Sequence, residues 1–262
     1  MMNNKSPLRY PGGKTRACKK LDEIVTENFK LEDYSNFVSP FFGGGSFEFY
    51  IQNIYDYTII ANDKFTPLYN FWNICKERND ELCYILYENI DLITKDDFLE
   101  LRETIMSDED NLNQAVSYFI INRCSFSGAT LSGGFSLEAS KKRFTKSSVD
   151  RVKKLDLSKF TIFNYDFEEF INRNYADENL IFLDPPYYLK KKSNLYGKNG
   201  DMHEHFDHKK LFECISSKKN WMMTYNNCDY IKDLYKDYKI IETSWSYGMN
   251  KSKKSSEIVI IG

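Results

Sequence analysis

The chain has 262 residues, a formal net charge of −2 and an apolar fraction of 42%, enough for one large domain or one domain carrying an inserted subdomain. The near-neutral balance excludes a histone-like polyanion binder. It leaves nucleic acid open as a partner, because the placement of charge matters more than its sum. Six scattered cysteines form no Cys-x-x-Cys pair, which fits reduced thiols rather than disulfides or a zinc site. The polar opening "MMNNKSPLRY" predicts no signal peptide, and no apolar run approaches the roughly 20 residues of a membrane span. A cytoplasmic chain is expected, without a membrane partner.

Residues 36 to 40, "NFVSP", predict a short buried strand that enters "FFGGGS" and then an amphipathic helix from Phe47. "YTIIAND" predicts a second strand ending at Asp63, and Pro67 to about Cys75 a helix. Residues 80 to 122 read as mostly helical. "CSFSGATLSGGFS" reads as a loop or small hairpin. "FTIFNYD" and "LIFLD" predict strands ending at Asp166 and Asp184. "FDHKKLFECISS" predicts a helix capped by Asp207, "WMMTYNN" another strand, and "YKIIETSW" with "SEIVIIG" a closing pair. Strands alternating with helices give an α/β class with a mainly parallel sheet. The stretch from 76 to 145 breaks that alternation and is read as an inserted, mainly helical subdomain, with residues 1–75 and 146–262 forming the main domain.

Asp63, Asp166 and Asp184 each close a predicted strand. In a doubly wound sheet, ligands bind outside the carboxyl ends of the strands, near the point where strand order reverses. The three acids are therefore expected in one crevice floored by the glycine turn. Asp63 stands about 20 residues past that turn, the spacing at which a carboxylate holds ribose hydroxyls. "FFGGGS" lacks the full dinucleotide spacing, so a cofactor with ribose and adenine but no pyrophosphate fits better, S-adenosylmethionine above all. "RYPGGKTR" is no phosphate loop: Leu8 stands where the first glycine is required. Lys14 remains a cation that could reach the carboxylate of an amino-acid cofactor, with Tyr10 beside it.

Four stretches, "PLRYPGGKTR", "VSPFFGGGSFEF", "IIAND" and "FLDPPYY", stand in that order and span nearly the whole chain. Together they resemble the Dam-type (alpha group, D12 class) DNA adenine-N6 methyltransferases. The resemblance implies a Rossmann-like class I methyltransferase sheet, mostly parallel with a closing antiparallel hairpin, and an inserted target-recognition subdomain with a hairpin near residues 123–136. It implies that Tyr10, Lys14, Phe41, Gly43, Gly45, Asp63, Asp166 and Phe167 hold S-adenosylmethionine beside Asp184. The catalytic motif is Asp184, Pro185, Pro186 and Tyr187. Phe126 and Ser127 fall at positions that meet DNA in relatives, and Arg9 and Arg123 flank them in the same reading. Relatives that read GATC have Asn-Gly-Leu-Cys-Arg-Tyr where this chain has "SGATLS". Leu131 takes the arginine position, so GATC specificity is not carried over.

The implied chemistry explains the abrupt end of "LIFLDPPYYLKKK". Adenine N6 is a poor nucleophile because its lone pair is delocalised. A carboxylate oxygen of Asp184 and the Pro185 carbonyl, held by the prolines, can each accept one N6 hydrogen and localise that pair. Tyr187 can stack on the extracted base. Basic stretches supply candidate phosphate contacts: Lys141, Lys142 and Arg143 in one, Lys190 and Lys191 in the other. His203, His205 and His208 could form three metal ligands, but the reaction needs no metal, and a loop entering a helix explains them. Rival substrates are cytosine N4, RNA adenine and a protein amide, and a DNA-binding module without catalysis is the non-enzymatic rival. Duplex DNA is the expected partner, the chain acting as a monomer associated with the nucleoid, with a cognate restriction endonuclease as a further candidate partner.

Overall fold

The computed structural model describes residues 4–174, 176–188, 206–245 and 256–262. Seven strands form one sheet: β1 (Asn36–Ser39), β2 (Thr58–Asn62), β3 (Phe160–Phe163), β4 (Asn179–Leu183), β5 (Trp221–Asn226), β6 (Lys239–Thr243) and β7 (Glu257–Ile261). Their order is β3-β2-β1-β4-β5-β7-β6. The first five run parallel, and β7 runs antiparallel to both β5 and β6. This is a mixed α/β fold of the Rossmann-like methyltransferase type, with the expected antiparallel closing pair.

The inner strands β1, β4, β5 and β7 are buried on both faces, which is why they read as nearly continuous apolar runs. Phe37, Leu180, Phe182, Met222 and Val259 point into one core; Val38, Ile181, Leu183, Met223, Ile258 and Ile260 point into the other. Each such side chain contributes roughly 1.5–3 kcal/mol on burial. The first core is aromatic: Phe37 stacks on Phe182 at 6.0 Å between ring centres, and Phe47 meets Phe182 edge-on at 4.8 Å.

Helices α1 (Cys18–Asn28), α2 (Ser46–Tyr55) and α3 (Thr66–Glu77) cover this face. Between α3 and β3 lie α4 (Asn79–Glu88), α5 (Lys95–Thr104), α6 (Asn111–Cys124), α7 (Leu137–Arg143) and α8 (Lys146–Lys153). The stretch read as a helical insertion is thus helical, and its Leu82, Phe98, Phe119 and Phe144 join the first core rather than forming a separate one. Helix α6 is buried from Leu112 to Cys124 except Asn113, and packs on α3. A helix wrapped on all sides shows no amphipathic stripe, so only its length and its Asp110 cap mark it in the sequence.

On the second face lie α9 (Phe167–Asn174), α10 (His208–Ser216) and α11 (Asp229–Leu234). Asp207 caps α10 as expected, its side chain accepting from the Lys210 N–H at 2.9 Å.

The structure differs from the sequence reading in two local places. Strand β3 stops at Phe163, so Asp166 lies beyond the strand and heads α9, accepting from the Glu168 N–H at 3.2 Å. The stretch near 123–136 forms no two-stranded hairpin. One antiparallel bridge, Ser125 to Phe135, closes a loop of two 3-10 turns, Phe126–Gly128 and Thr130–Ser132. The cause is local hydrogen bonding: the Thr130 N–H donates to Ser125 Oγ, and the hydroxyls of Thr130 and Ser132 donate to the Gly128 and Ala129 carbonyls. Such bonds draw the backbone away from a ladder.

Candidate active site

Strand order reverses between β1 and β4, and the glycine turn and the Asp-Pro-Pro-Tyr stretch leave these two neighbours at their carboxyl ends. Asp184 follows the last residue of the fully buried β4. Its carboxylate is engaged from two sides. The Lys14 ammonium donates to both oxygens at 2.6 Å, and the Thr224 hydroxyl, from β5, donates to Oδ1 at 2.6 Å. Lys14 also donates to the Gly12 carbonyl at 3.1 Å and lies 5.1 Å from the centre of the Tyr187 ring. The lysine expected at the cofactor's carboxylate thus sits on the carboxylate of Asp184. Thr224 had a signal in the sequence, as the one polar residue inside "WMMTY".

Beneath this pair lies Glu48, a buried acid on the sheet-facing side of α2. Its carboxylate accepts from Ser39 Oγ, at the end of β1, at 2.6 Å. Burial raises its pKa to about 7, with the Asp184 charge adding to the shift and the Ser39 bond and Lys14 opposing it. A lone acid in the apolar run "SFEFYI" was its only mark in the sequence.

The glycine turn is shaped by Tyr10. Gly43 has φ +50°, and a Cβ there would lie 2.7 Å from the Tyr10 ring; at Gly44 it would again lie 2.7 Å from Tyr10. Only glycine permits both the left-handed backbone and the ring's approach. Asp63 leaves β2 and turns back onto this loop. Its Oδ2 accepts from the Gly43 N–H and its Oδ1 from the Phe65 N–H, both at 2.9 Å. Burial raises the Asp63 carboxyl to about 6, against the pull of these two bonds. Each oxygen keeps a lone pair, so Asp63 can still accept from two further hydroxyls. Gly45, with φ +66°, packs against Phe42 and opens α2.

Phe41, Phe167 and Phe206 form an aromatic trio at the same ends of the sheet, with ring centres 5.4–5.7 Å apart. Sequence reading named the first two and missed Phe206. Asp166 pairs with Lys64 at 2.9 Å on the half-exposed rim beside Phe167. The crevice therefore gathers Tyr10, Phe41, Gly43, Asp63, Phe167 and Asp184, with Asp166 at its edge. A glycine turn packed against the Tyr10 ring, a buried acid with spare acceptor capacity and a flat aromatic wall fit a nucleoside-bearing amino-acid cofactor.

The residues read as nucleic-acid contacts divide. Phe126 is 69% exposed at the tip of the first 3-10 turn, which also contains Ser127. Lys141, Lys142 and Arg143 are exposed along the last turn of α7. Arg123 is not on that surface. It is 5% exposed, and its guanidinium donates to the carbonyls of Arg143 at 2.7 Å and Pro7 at 3.1 Å, because α6 is enclosed on every side. Burial lowers its pKa to about 10, with Arg151, Arg9 and Arg143 adding. Arg9 is tied through its backbone, whose N–H and carbonyl pair with the Asn122 amide at 3.0 and 2.8 Å. This fixes the N-terminal segment to the end of α6, and with it the positions of Tyr10 and Lys14. Lys190, Lys191, His203 and His205 lie outside the described residues. His208 lies within them, its Nδ1 2.8 Å from the Tyr225 hydroxyl.

Sheet order and crevice together define a Rossmann-like methyltransferase. Residues 10–249 match the family described as D12 class N6 adenine-specific DNA methyltransferase. The chain belongs to this family, so it is a DNA methyltransferase. It is 24% identical over 250 residues to the type II methyltransferase M.CviBI of Paramecium bursaria Chlorella virus NC1A, covering 88% of this chain and 86% of that one. It is 25% identical over 271 residues to the type II methyltransferase M.MjaIII of Methanocaldococcus jannaschii, covering 91% and 90%. Among the described residues, no helix is long and apolar enough to cross a membrane.

Proposed function

We propose that the chain transfers a methyl group from S-adenosylmethionine to N6 of an adenine extracted from duplex DNA. The observation that carries this reading is the seat on Asp184. It already holds a nitrogen that donates to both carboxylate oxygens, 5.1 Å from the Tyr187 ring centre. The amine of a flat base, giving one N–H to Asp184, suits the place of that nitrogen beside the ring.

The cofactor supplies an electrophilic methyl group on a sulfonium. Tyr10 and the Gly43–Gly45 turn would hold its methionine part, Asp63 its ribose, and Phe41 and Phe167 its adenine, with Asp166 at the rim. As the target base enters, Lys14 must leave Asp184, and its Gly12 contact keeps it at the edge of the site. Asp184 and the Pro185 carbonyl then accept the two N6 hydrogens, which localises the nitrogen lone pair without deprotonating it first. The Thr224 bond fixes Asp184 Oδ1, so the acceptor is preorganised rather than free to rotate. Pro186 stiffens the turn, and Tyr187 stacks on the base, worth roughly 1–3 kcal/mol against the few kcal/mol that extrusion costs. Asp184 also stabilises the positive charge that grows on nitrogen and can take its proton afterwards.

Phe126 and Ser127 of the first 3-10 turn, Arg9 beside it and the basic end of α7 are read as the DNA-facing surface; Lys190 and Lys191 belong to the same reading. The chain is read as a monomer acting on DNA in the cytoplasm or at the nucleoid, beside a cognate endonuclease. The test is nucleoside mass spectrometry of unmethylated plasmid DNA incubated with the protein and S-adenosylmethionine. N6-methyladenine is the expected product. N4-methylcytosine, or no modified nucleoside, contradicts the reading.

A further inference from the structure

The catalytic turn does not rest on β4 alone. Tyr225, fully buried on β5, lies under it: its ring centre is 6.0 Å from that of Tyr187. Its hydroxyl is 2.8 Å from Nδ1 of His208, a hydrogen bond whose direction follows the imidazole tautomer. The same imidazole meets the Tyr188 ring edge-on at 5.4 Å, and Tyr188 is stacked on Tyr230 of α11 at 4.4 Å. The Tyr188 carbonyl accepts from the Asn226 amide at 2.8 Å. On its other side His208 touches Phe206, with ring centres 5.0 Å apart, and Phe206 belongs to the aromatic trio of the proposed cofactor wall. The Asp207 cap fixes His208 as the first residue of α10, so this ring is held by a rigid element.

We infer that His208 is a positioning residue: by anchoring Tyr225 and bracing Tyr188, it holds Tyr187 where the extracted base must stack, and it ties that face to the cofactor wall through Phe206. The inference rests on the function proposed above. His208 touches no reacting atom in this account. Its effect is on how often Tyr187 is correctly placed, so it belongs to turnover rather than to the binding of either substrate. A polar bond between a half-buried imidazole and a buried phenol is an orienting device, because it fixes rotation where apolar packing alone permits sliding.

The test uses the full chain, tritiated S-adenosylmethionine and plasmid DNA from a host without adenine methylation. His208→Phe keeps a ring but cannot bond Tyr225. It is expected to lower kcat about 10-fold, the equivalent of one net hydrogen bond, with both KM values within about two-fold of wild type. His208→Asn carries a polar atom near the place of Nδ1 and is expected to recover most of that loss. Tyr225→Phe removes only the hydroxyl and is expected to match His208→Phe. It carries the test if the histidine variant fails to fold, as judged by circular dichroism. The inference is overturned if Tyr225→Phe retains wild-type kcat. It is also overturned if His208→Asn and His208→Phe lose activity equally, or if the loss lies in KM. A wild-type chain that places no label in DNA instead overturns the proposed function itself, so the two failures are distinguishable.

Discussion

The Lys14 ammonium donates to both carboxylate oxygens of Asp184 at 2.6 Å, joining the N-terminal segment to the carboxyl end of β4 across 170 positions of sequence. Lys14 is 4% exposed as a residue and the Asp184 side chain 22%, so the pair is shielded from water on the lysine side. Removing one partner leaves a poorly solvated charge, whereas removing both leaves none. Lys14→Met is therefore expected to lower unfolding free energy by about 2 kcal/mol, and Asp184→Leu by a similar amount. The double variant should lose clearly less than their sum in urea unfolding. Strict additivity would show that the pair is not coupled.

Glu48 makes stability depend on pH in a stated direction. Its folded value of about 7 lies above the ordinary 4.5, so folding takes up a proton between those two values. Its contribution is present below about pH 4.5, falls as pH rises, and is lost above about 7, amounting to about 3 kcal/mol at most. Asp63 acts in the same direction but ends its range at about 6. Between about pH 6 and 7 Glu48 still adds to the slope, above the range of Asp63. Glu48→Gln should flatten it in urea unfolding measured at both ends of that interval, and an unchanged slope would contradict this assignment.

Asp63 is expected to act on cofactor affinity rather than on chemistry. Asp63→Ala removes both ribose acceptors and also frees the Gly43 N–H, which should weaken binding of S-adenosylhomocysteine about 100-fold in calorimetry. In the wild type, affinity should fall as pH drops through about 6, where the carboxyl takes up its proton. An unchanged dissociation constant would remove Asp63 from the ribose.

The basic residues should separate by salt dependence. Lys141 and Lys142 are exposed on α7, and replacing both with alanine should reduce the slope of log affinity for duplex DNA against log salt by about 1.8. Arg123→Met should leave that slope alone and lower stability, because its guanidinium serves the Pro7 and Arg143 carbonyls. A shallower slope for Arg123→Met with no loss of stability would return it to the DNA surface.

The inner strands were legible because burial on both faces writes nearly continuous apolar runs, and each of the seven predicted runs overlaps an observed strand. Asp63 and Asp184 were legible because an acid directly after such a run has to be solvated, paired or used. Asp166 was legible as a residue but not in its place, since nothing in "FNYD" marks the strand's end at Phe163. Three features were hidden. Arg123 looked like a surface cation because enclosure of α6 depends on helices distant in sequence. The Lys14–Asp184 pair joins two motifs that a linear reading gives to different ligands. Glu48, Phe206 and Tyr225 acquire their places only when α2, α10 and β5 converge on the same strand ends.

The central claim is that Asp184 holds the target amine. Its most direct test is the single-turnover rate of methyl transfer to unmethylated plasmid DNA by Asp184→Asn, an isosteric change in which one carboxylate acceptor becomes a donor. The rate should fall by about 1,000-fold or more while DNA affinity stays near wild type. A variant that methylates DNA within about 10-fold of the wild-type rate would contradict the claim.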